Sequence, residues 1–135
     1  MQYISDGPVL ARATSVSAGM DLHSFRLIKN VKDVYYYGTG IKVSIPYGYV
    51  GYIHERSSLH KKGYTLANSV GVIDADYRGE IIVALRKEDD DAEELEPEDR
   101  VAQLVVVKCS MDFTVMVTEL SATERGEGSF GSTGR

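Results

Sequence analysis

The chain has 135 residues, of which 43% are hydrophobic and 26% charged, and these values are typical of one soluble globular domain. No stretch approaches the roughly 18 apolar residues of a transmembrane helix, so we expect no membrane partner. The net charge is −5, but the segment from Glu88 to Asp99 holds nine of the 20 acidic residues, and the remaining 11 acidic and 15 basic residues give +4, without the clustered Lys/Arg face expected for nucleic-acid binding.

The N-terminal stretch M-Q-Y-I-S-D-G-P lacks the basic and apolar regions of a secretory signal peptide. Cys109 is the single cysteine, so the chain can form no internal disulfide. A protein without disulfides is compatible with a reducing compartment. We therefore expect a cytoplasmic location.

Apolar residues recur mostly with a period of two, which predicts strands rather than helices. Weak strand signals come first, in V-L-A-R-A-T and M-D-L-H-S-F. The one predicted helix covers about two turns from Ser57 to about Gly63, with serine at its start and glycine at its end. The stronger strand signals are, in chain order, G-I-K-V-S-I-P, Y-V-G-Y-I-H, E-I-I-V-A-L-R-K, V-A-Q-L-V-V-V-K and D-F-T-V-M-V-T-E. Many short strands separated by turns predict an all-β sandwich or barrel.

The stretch N-S-V-G-V-I-D-A-D-Y-R-G-E-I, from Asn68 to Ile81, interrupts this apolar pattern with polar residues and glycines. Its valines and Ile73 have the character of core residues. An aspartate in a turn is ordinarily a turn-former. A hairpin here could instead offer free backbone groups to the flat edge of a base, while Asp74, ionised at neutral pH, accepts a proton from water.

The glycine-rich segment 121–135 contains Phe130 as its only bulky apolar side chain. Such a segment cannot bury enough surface to fold by itself. It is either a disordered terminus or an arm that closes over an anionic ligand with Arg125, Ser132 and Thr133. We therefore divide the chain into a β-barrel domain, 1–120, and a flexible arm, 121–135.

Five segments of the chain together resemble the ordered motifs of the trimeric dUTPase family. They extend from Ala18 to Gly134, which is nearly the whole chain. In order, they read A-G-M-D-L-H-S, R-S-S-L-H-K-K-G, N-S-V-G-V-I-D-A-D-Y-R-G-E, D-R-V-A-Q-L and R-G-E-G-S-F-G-S-T-G. The third and fifth are the most specific, and the order and joint presence of all five carry the resemblance.

This resemblance implies a jelly-roll-like β fold, the dUTPase β-clip, with one short helix and a mobile C-terminal arm. It implies a homotrimer with active sites at the subunit interfaces. The implied reaction is Mg²⁺-dependent hydrolysis of dUTP to dUMP and pyrophosphate, which keeps uracil out of DNA and supplies dUMP for dTMP synthesis.

The resemblance also assigns roles to individual residues. Asp74 is the base that deprotonates the water attacking the α-phosphorus, and Asp21 lies beside the metal and contacts it through water. Uracil and deoxyribose are contacted by Asn68, Gly71, Val72, Ile73, Tyr77 and Phe130. The phosphates are contacted by Arg56, Ser57, Ser58, Gln103, Arg125, Gly131, Ser132 and Thr133.

Other functions share parts of this pattern. A dCTP deaminase, or a bifunctional deaminase-dUTPase, has the same fold and ligand class, and a nucleotide-sensing regulator could use closure of the arm to bind a partner. A sugar-binding or capsid-like jelly roll would share the strands, without a reason for the pattern from Asn68 to Glu80. The chain departs from the family at Glu55, where proline is usual, and at Glu98 and Ser129, where glycine is usual.

Overall fold

The structure is a computed structural model that describes residues 1–132. It contains nine strands and one single-turn 3-10 helix in the order β1 Gln2–Ser5, β2 Met20–His23, β3 Arg26–Val31, β4 Val34–Ser44, β5 Tyr49–Glu55, 3-10 helix Leu59–Lys62, β6 Tyr64–Leu66, β7 Gly71–Ile73, β8 Glu80–Lys87 and β9 Arg100–Lys108. The predicted all-β class is confirmed. Within this part of the chain, no helix has both the length and the apolar character needed to cross a membrane.

The strands form two antiparallel sheets. The first has the order β1-β4-β8-β6, with β3 also paired to β4, and the second has the order β2-β9-β5-β7. Strands that follow one another in sequence therefore alternate between sheets at several points. In particular, β7 and β8 belong to different sheets although only six residues separate them. This topology is the jelly-roll-like arrangement expected for the chain.

The core lies between the sheets and follows from the alternation of side chains along each strand. In β4, Ile41 and Val43 are buried while Lys42 is exposed, as the period of two predicts. In the second sheet, Leu22 of β2 is paired with Ala102 of β9, and both are fully buried. Burial of each large aliphatic side chain contributes about 1.5–3 kcal/mol, so these rows hold the two sheets together.

The predicted two-turn helix is shorter in the structure. It is a single 3-10 turn, Leu59–Lys62, preceded by Ser58, whose side chain makes no capping hydrogen bond. Gly63 follows with φ of 76°, in the left-handed region that stops a helix. Leu59 is its one buried residue, so the turn is fixed by that side chain and by the glycine.

The strand predicted over D-F-T-V-M-V-T-E is wrong for this structure. No residue from 109 to 132 is in a helix or a strand, and Phe113 and Met116 are each 99% exposed. Local β propensity cannot make a strand without a partner for its backbone hydrogen bonds. V-L-A-R-A-T is not a strand either. The division of the chain at residue 120 stays a prediction.

The acidic segment from Glu88 to Asp99 connects the two sheets and is bonded to the 3-10 helix and to β6. Tyr64 Oη donates a hydrogen bond to the carbonyl of Glu93 (3.0 Å), and Lys62 Nζ lies 2.6 Å from Asp99 Oδ1. Burial raises the pKa of Asp99, but hydrogen bonds from Lys62 and from the Glu96 amide outweigh it and leave that pKa below its ordinary value. The segment is therefore a docked connection rather than a freely solvated hairpin.

Candidate active site

A cleft of about 270 Å³ opens between the two sheets beside β7. Six of the residues assigned to base, sugar and catalysis line it: Asn68, Gly71, Val72, Ile73, Asp74 and Tyr77. The rest of the lining comes from the neighbouring strands: Ile53, Leu66 and residues 80–84. The polar interruptions and the apolar floor thus meet in one concave site, as ligand pockets commonly require.

The cleft exists because two strand edges diverge. β7 is at the edge of its sheet and pairs with β5 alone, while β6 ends at Leu66, opposite Leu85 of β8. The N-terminal half of β8 therefore has β4 on one side and the cleft on the other. The sequence suggested a hairpin between Asn68 and Ile81. The structure has no paired hairpin there, because β7 and β8 belong to different sheets. Unpaired backbone groups along β7 are available to a planar ligand edge.

Gly71 brings β7 against β5 at the inner wall of this cleft. A Cβ on Gly71 would lie 2.9 Å from Ile53 Cβ and 3.6 Å from Asn68 Nδ2. The preceding turn is tight, with Ser69 at φ of 61° and the Val70 amide donating to the Asn68 carbonyl (2.7 Å). The expectation of a core position is wrong for Val70 and Val72, which are 40% and 59% exposed.

The loop after β7 places a carboxylate and a ring at the mouth of the cleft. The exposed Asp74 accepts a hydrogen bond at its carbonyl from the Tyr77 amide (3.1 Å). Tyr77 Oη donates to the Glu80 carbonyl (2.9 Å), which fixes the ring across the loop. Arg78 Nη1 closes the loop by donating to the carbonyls of Ala75 (2.7 Å) and Tyr77 (2.9 Å).

A second cluster of candidate residues combines two arginines with a buried carboxylate. Asp21 is buried between two arginines: Arg56 Nη1 is bonded to Asp21 Oδ1, and Arg100 Nη1 lies 3.3 Å from Asp21 Oδ2. Burial and the neighbouring Arg100 charge lower the pKa of Arg56 from its ordinary value. Gln103 Nε2 donates a hydrogen bond to the Glu55 carbonyl (3.2 Å). Ser57 and Ser58, the two residues after Arg56, are exposed. Cations and hydroxyls in this arrangement are suited to phosphate groups.

The two clusters occupy different faces of the second sheet. Asp21 is paired with Gln103, and Gln103 with His54, so the three side chains share one face. Their neighbours Leu22, Ala102 and Ile53 are buried between the sheets, which places the Asp21 row on the outer face. The base cleft opens instead at the inner wall, beside β7. Within one chain, the cation cluster therefore does not border the base cleft.

Comparison with known proteins identifies the family. A sequence model of the dUTPase family matches residues 5–134. The deoxyuridine 5'-triphosphate nucleotidohydrolase of Nautilia profundicola is 43% identical over 127 residues, covering 93% of this chain and 89% of that protein. The enzyme of the same name from Corynebacterium jeikeium is 41% identical over 135 residues, covering 94% and 86%. This chain belongs to the dUTPase family.

A solved structure agrees with this assignment. The dUTPase of Staphylococcus bacteriophage 80alpha, determined with dUPNHPP, is similar with a TM-score of 0.82 and 28% sequence identity. The match covers 99% of this chain and 98% of that one. The chain is thus a dUTPase-family hydrolase by sequence and by fold.

In this family member, residues 121–132 of the C-terminal arm do not line the cleft of their own chain. The hydrogen bonds that its described residues make are internal: Arg125 Nε donates to the Gly128 carbonyl (2.9 Å), and the Ser132 amide donates to the Ser129 carbonyl (2.9 Å). Phe130 is fully exposed, and Gly131 and Ser132 are exposed beside it. Thr133, the remaining predicted phosphate contact, lies outside the described residues.

Members of the family use a divalent metal, and the donor set of this chain limits how one could bind. Among residues 1–132, no group of three or more His, Cys, Asp or Glu side chains could hold a metal ion. Asp21 offers carboxylate oxygens, which Mg²⁺ prefers, but both oxygens already contact arginines. These residues fit an ion that takes most of its ligands from a triphosphate and water.

Two parts of the site were missed from the sequence. Arg100 is the second cation on Asp21, and it stands in D-R-V-A-Q-L, the segment from which only Gln103 was selected. Strand alternation gave no signal for it, because Arg100 is two residues before the buried Ala102, whereas Asp21 is paired with Gln103 on the other face. Glu80 was missed because it acts through its carbonyl, which accepts from Tyr77 and leaves no side-chain signature.

Proposed function

We propose that this chain hydrolyses dUTP to dUMP and pyrophosphate, with Asp74 as the base that activates the attacking water. The observation that carries the proposal is the cleft beside β7, in which a free strand edge, Asn68, Asp74 and Tyr77 converge on a volume suited to a nucleoside. Membership of the dUTPase family gives the substrate class.

Uracil would enter between the edges of β7 and β8. Backbone groups of residues 71–73 can pair with the polar edge of the base, and the Asn68 amide can supply a donor and an acceptor beside them. The close packing of Gly71 on Ile53 leaves little freedom for this wall to retreat. A rigid wall would reject the extra methyl group of thymine by steric overlap.

Tyr77 would contact the deoxyribose. Its ring is fixed by the hydrogen bond to Glu80 and yet is 41% exposed, so one face remains available to a ligand. A sugar packed against this face has no room for a 2′-hydroxyl pointing toward the ring. Selection of the deoxynucleotide thus depends on the position of Tyr77.

Asp74 follows directly after β7 and lies at the mouth of the cleft. In the proposed reaction, its carboxylate accepts a proton from a water molecule as the water oxygen bonds to the α-phosphorus. The bond from the α-phosphorus to the bridging oxygen breaks, and pyrophosphate leaves with that oxygen. General base catalysis of this kind typically contributes about 10²–10⁴ in rate.

The phosphates would be held by the cation cluster of a neighbouring subunit. Arg56 and Gln103 lie on the outer sheet face, away from the base cleft of their own chain, so a complete site requires a second copy. The exposed apolar segment from Phe113 to Val117 also requires a covering surface. Both features favour an assembly with shared active sites, and the resemblance to the trimeric dUTPases makes that assembly a homotrimer.

We infer Mg²⁺ as the divalent metal because a triphosphate supplies oxygen ligands and Mg²⁺ commonly binds through phosphates with few protein groups. When bound, the ion neutralises phosphate charge. Arg56 then contributes a bidentate donor to the phosphate oxygens, and Asp21 keeps that guanidinium in place. Cytoplasmic residence stays a prediction that rests on the sequence.

The arm would close over a bound nucleotide. Phe130 is free of packing contacts with the strands and could cover uracil, while Arg125, Gly131, Ser132 and Thr133 would add donors to the phosphates. Closure would exclude all but the attacking water, and opening would release pyrophosphate.

Pyrophosphate release should be measured side by side with dUTP, dTTP, dCTP and UTP, with Mg²⁺ present. We expect dUTP to exceed each of the others in kcat/KM. A parallel assay for ammonia with dCTP separates the hydrolase from a deaminase. Substantial ammonia release, or no turnover of dUTP, would overturn the proposal.

A further inference from the structure

We propose that Glu55 is a positioning residue: its carboxylate links the phosphate-binding end of β5 to the wall of the base cleft and thereby fixes the shape of that cleft. This inference rests on the proposed function, because it concerns how the same site selects its base.

The register of the second sheet shows that Glu55 is directed inward. Glu55 is paired with Ala102, and Ala102 with Leu22, in a row whose other two members are fully buried between the sheets. Two residues earlier, Ile53 on the same face of β5 is also in the core. Glu55 itself is exposed because it stands at the end of β5, but the register places its side chain on the face directed toward the opposite sheet and away from Arg56.

The carboxylate finds its partners on β6, across the gap between the sheets. Glu55 Oε2 accepts hydrogen bonds from Thr65 Oγ1 (3.2 Å) and from the Leu66 amide (3.4 Å). β6 is an edge strand. Since the Ala67 amide donates to the Ala84 carbonyl of β8, the Leu66 amide one residue earlier faces away from β8. Glu55 therefore caps an edge amide that no other strand pairs with among residues 1–132.

Both ends of this link border functional groups. Leu66 lines the base cleft, and the chain reaches Asn68 two residues later. At the other end, the Glu55 carbonyl accepts from Gln103 Nε2 (3.2 Å), and Arg56 is the next residue. The side chain thus fixes the cleft wall while the main chain of the same residue supports the phosphate-binding end of β5.

A purely electrostatic role for Glu55 predicts the opposite effect of its removal. If its negative charge acted mainly by repelling phosphate, removing the charge would lower KM for every nucleotide. If the carboxylate acts as an acceptor, loss of the acceptor loosens the Leu66–Asn68 wall and raises KM. Glu55→Gln separates the two cases, because glutamine lacks the charge and keeps an acceptor oxygen.

The test compares Glu55→Ala and Glu55→Gln with wild type, using kcat and KM for dUTP and dTTP. We expect Glu55→Ala to raise KM for dUTP at least fivefold with kcat within twofold, and to lower the preference for dUTP over dTTP several-fold. Glu55→Gln should recover most of both losses. The matched control is Glu98→Ala, an exposed glutamate at another departure from the family, whose side chain makes no hydrogen bond within residues 1–132; it should leave both parameters unchanged.

Two further measurements do not depend on hydrolysis by the variants. Hydrogen exchange at the Leu66 amide should be faster in Glu55→Ala than in Glu55→Gln or wild type. The effect of Thr65→Val on the Kd of a non-hydrolysable dUTP analogue should be much smaller in the Glu55→Ala background than in wild type, because the two groups share one bond.

Equal and lowered KM values in Glu55→Ala and Glu55→Gln would overturn the proposal in favour of charge repulsion. Unchanged Leu66 exchange in Glu55→Ala would overturn it as well. Failure of the wild-type chain to hydrolyse dUTP would refute the proposed function instead, and the exchange result would still report on the link.

Discussion

Gly79→Ala should impair catalysis through Tyr77 rather than through the backbone. Gly79 does not have a positive φ, so its backbone accepts an L-residue. A Cβ at this position, however, would lie 2.3 Å from Tyr77 Oη and 2.5 Å from Tyr77 Cζ. Since non-bonded atoms settle at about 3.5–4.0 Å, the ring has to move by about 1 Å or more. Its hydrogen bond to the Glu80 carbonyl, 2.9 Å long, would break.

The size of the effect follows from what the displaced ring loses. A hydrogen bond of this kind contributes about 0.5–1.5 kcal/mol, and packing of an aromatic face on a ligand contributes about 0.5–1.5 kcal/mol more. The total of about 1–3 kcal/mol corresponds to a decrease of roughly fivefold to 150-fold in kcat/KM for dUTP. Because Tyr77 is 41% exposed, the ring can turn into solvent, and we expect the free energy of unfolding to fall by only about 1 kcal/mol or less.

The assay is pyrophosphate release from dUTP and UTP, since a displaced ring should also weaken rejection of the ribonucleotide. Tyr77→Ala supplies the control: in that background the Gly79→Ala change should have almost no further effect. Wild-type kcat/KM and selectivity in Gly79→Ala would refute the reasoning, as would an equal loss in both backgrounds.

Two other predictions concern the arm and the acidic segment. Deleting residues 125–135 should lower the rate of pyrophosphate release by about 10²-fold through loss of phosphate positioning, while light scattering still shows a trimer; a monomer would make the arm structural instead. Asp99→Asn should lower the free energy of unfolding at pH 7 by about 0.5–1 kcal/mol, since Lys62 and Asp99 are 43% and 22% exposed. Because the folded-state pKa of Asp99 is depressed, this contribution is present above its ordinary value of 3.8 and is lost as pH falls through the lower folded pKa. Urea titrations at pH 7 and pH 3 would contradict this if the difference between variants were the same at both.

The strands that could be predicted were those whose pattern reflects burial on one face. Residues 40–45 alternate strictly, and the three residues that this alternation selects, Ile41, Val43 and Ile45, are buried. β3 gave no such signal because every one of its residues is exposed. β6 and β7 are three residues each, too short for a period to register. D-F-T-V-M-V-T-E has the pattern without a partner strand in the structure, so local sequence could not show that the strand is absent.

Site residues were easier to select than to arrange. The interruptions from Asn68 to Tyr77 marked one side of a cleft, which the structure completes with Ile53, Leu66 and residues 80–84. Sequence alone could not show that β7 and β8 separate into different sheets, because that depends on pairings with β5 and β4, distant along the chain. Nor could it show the direction of Glu55, which depends on its register with Ala102.

The most direct test of the account is the fate of dUTP in Asp74→Asn. Asparagine preserves the size of the side chain and removes its ability to take a proton from water. Binding of a non-hydrolysable dUTP analogue should stay within about threefold of wild type, while the single-turnover rate of pyrophosphate release falls by about 10²–10⁴-fold. Release at the wild-type rate from this variant would mean that another group activates the water, and the assignment of Asp74 would be wrong.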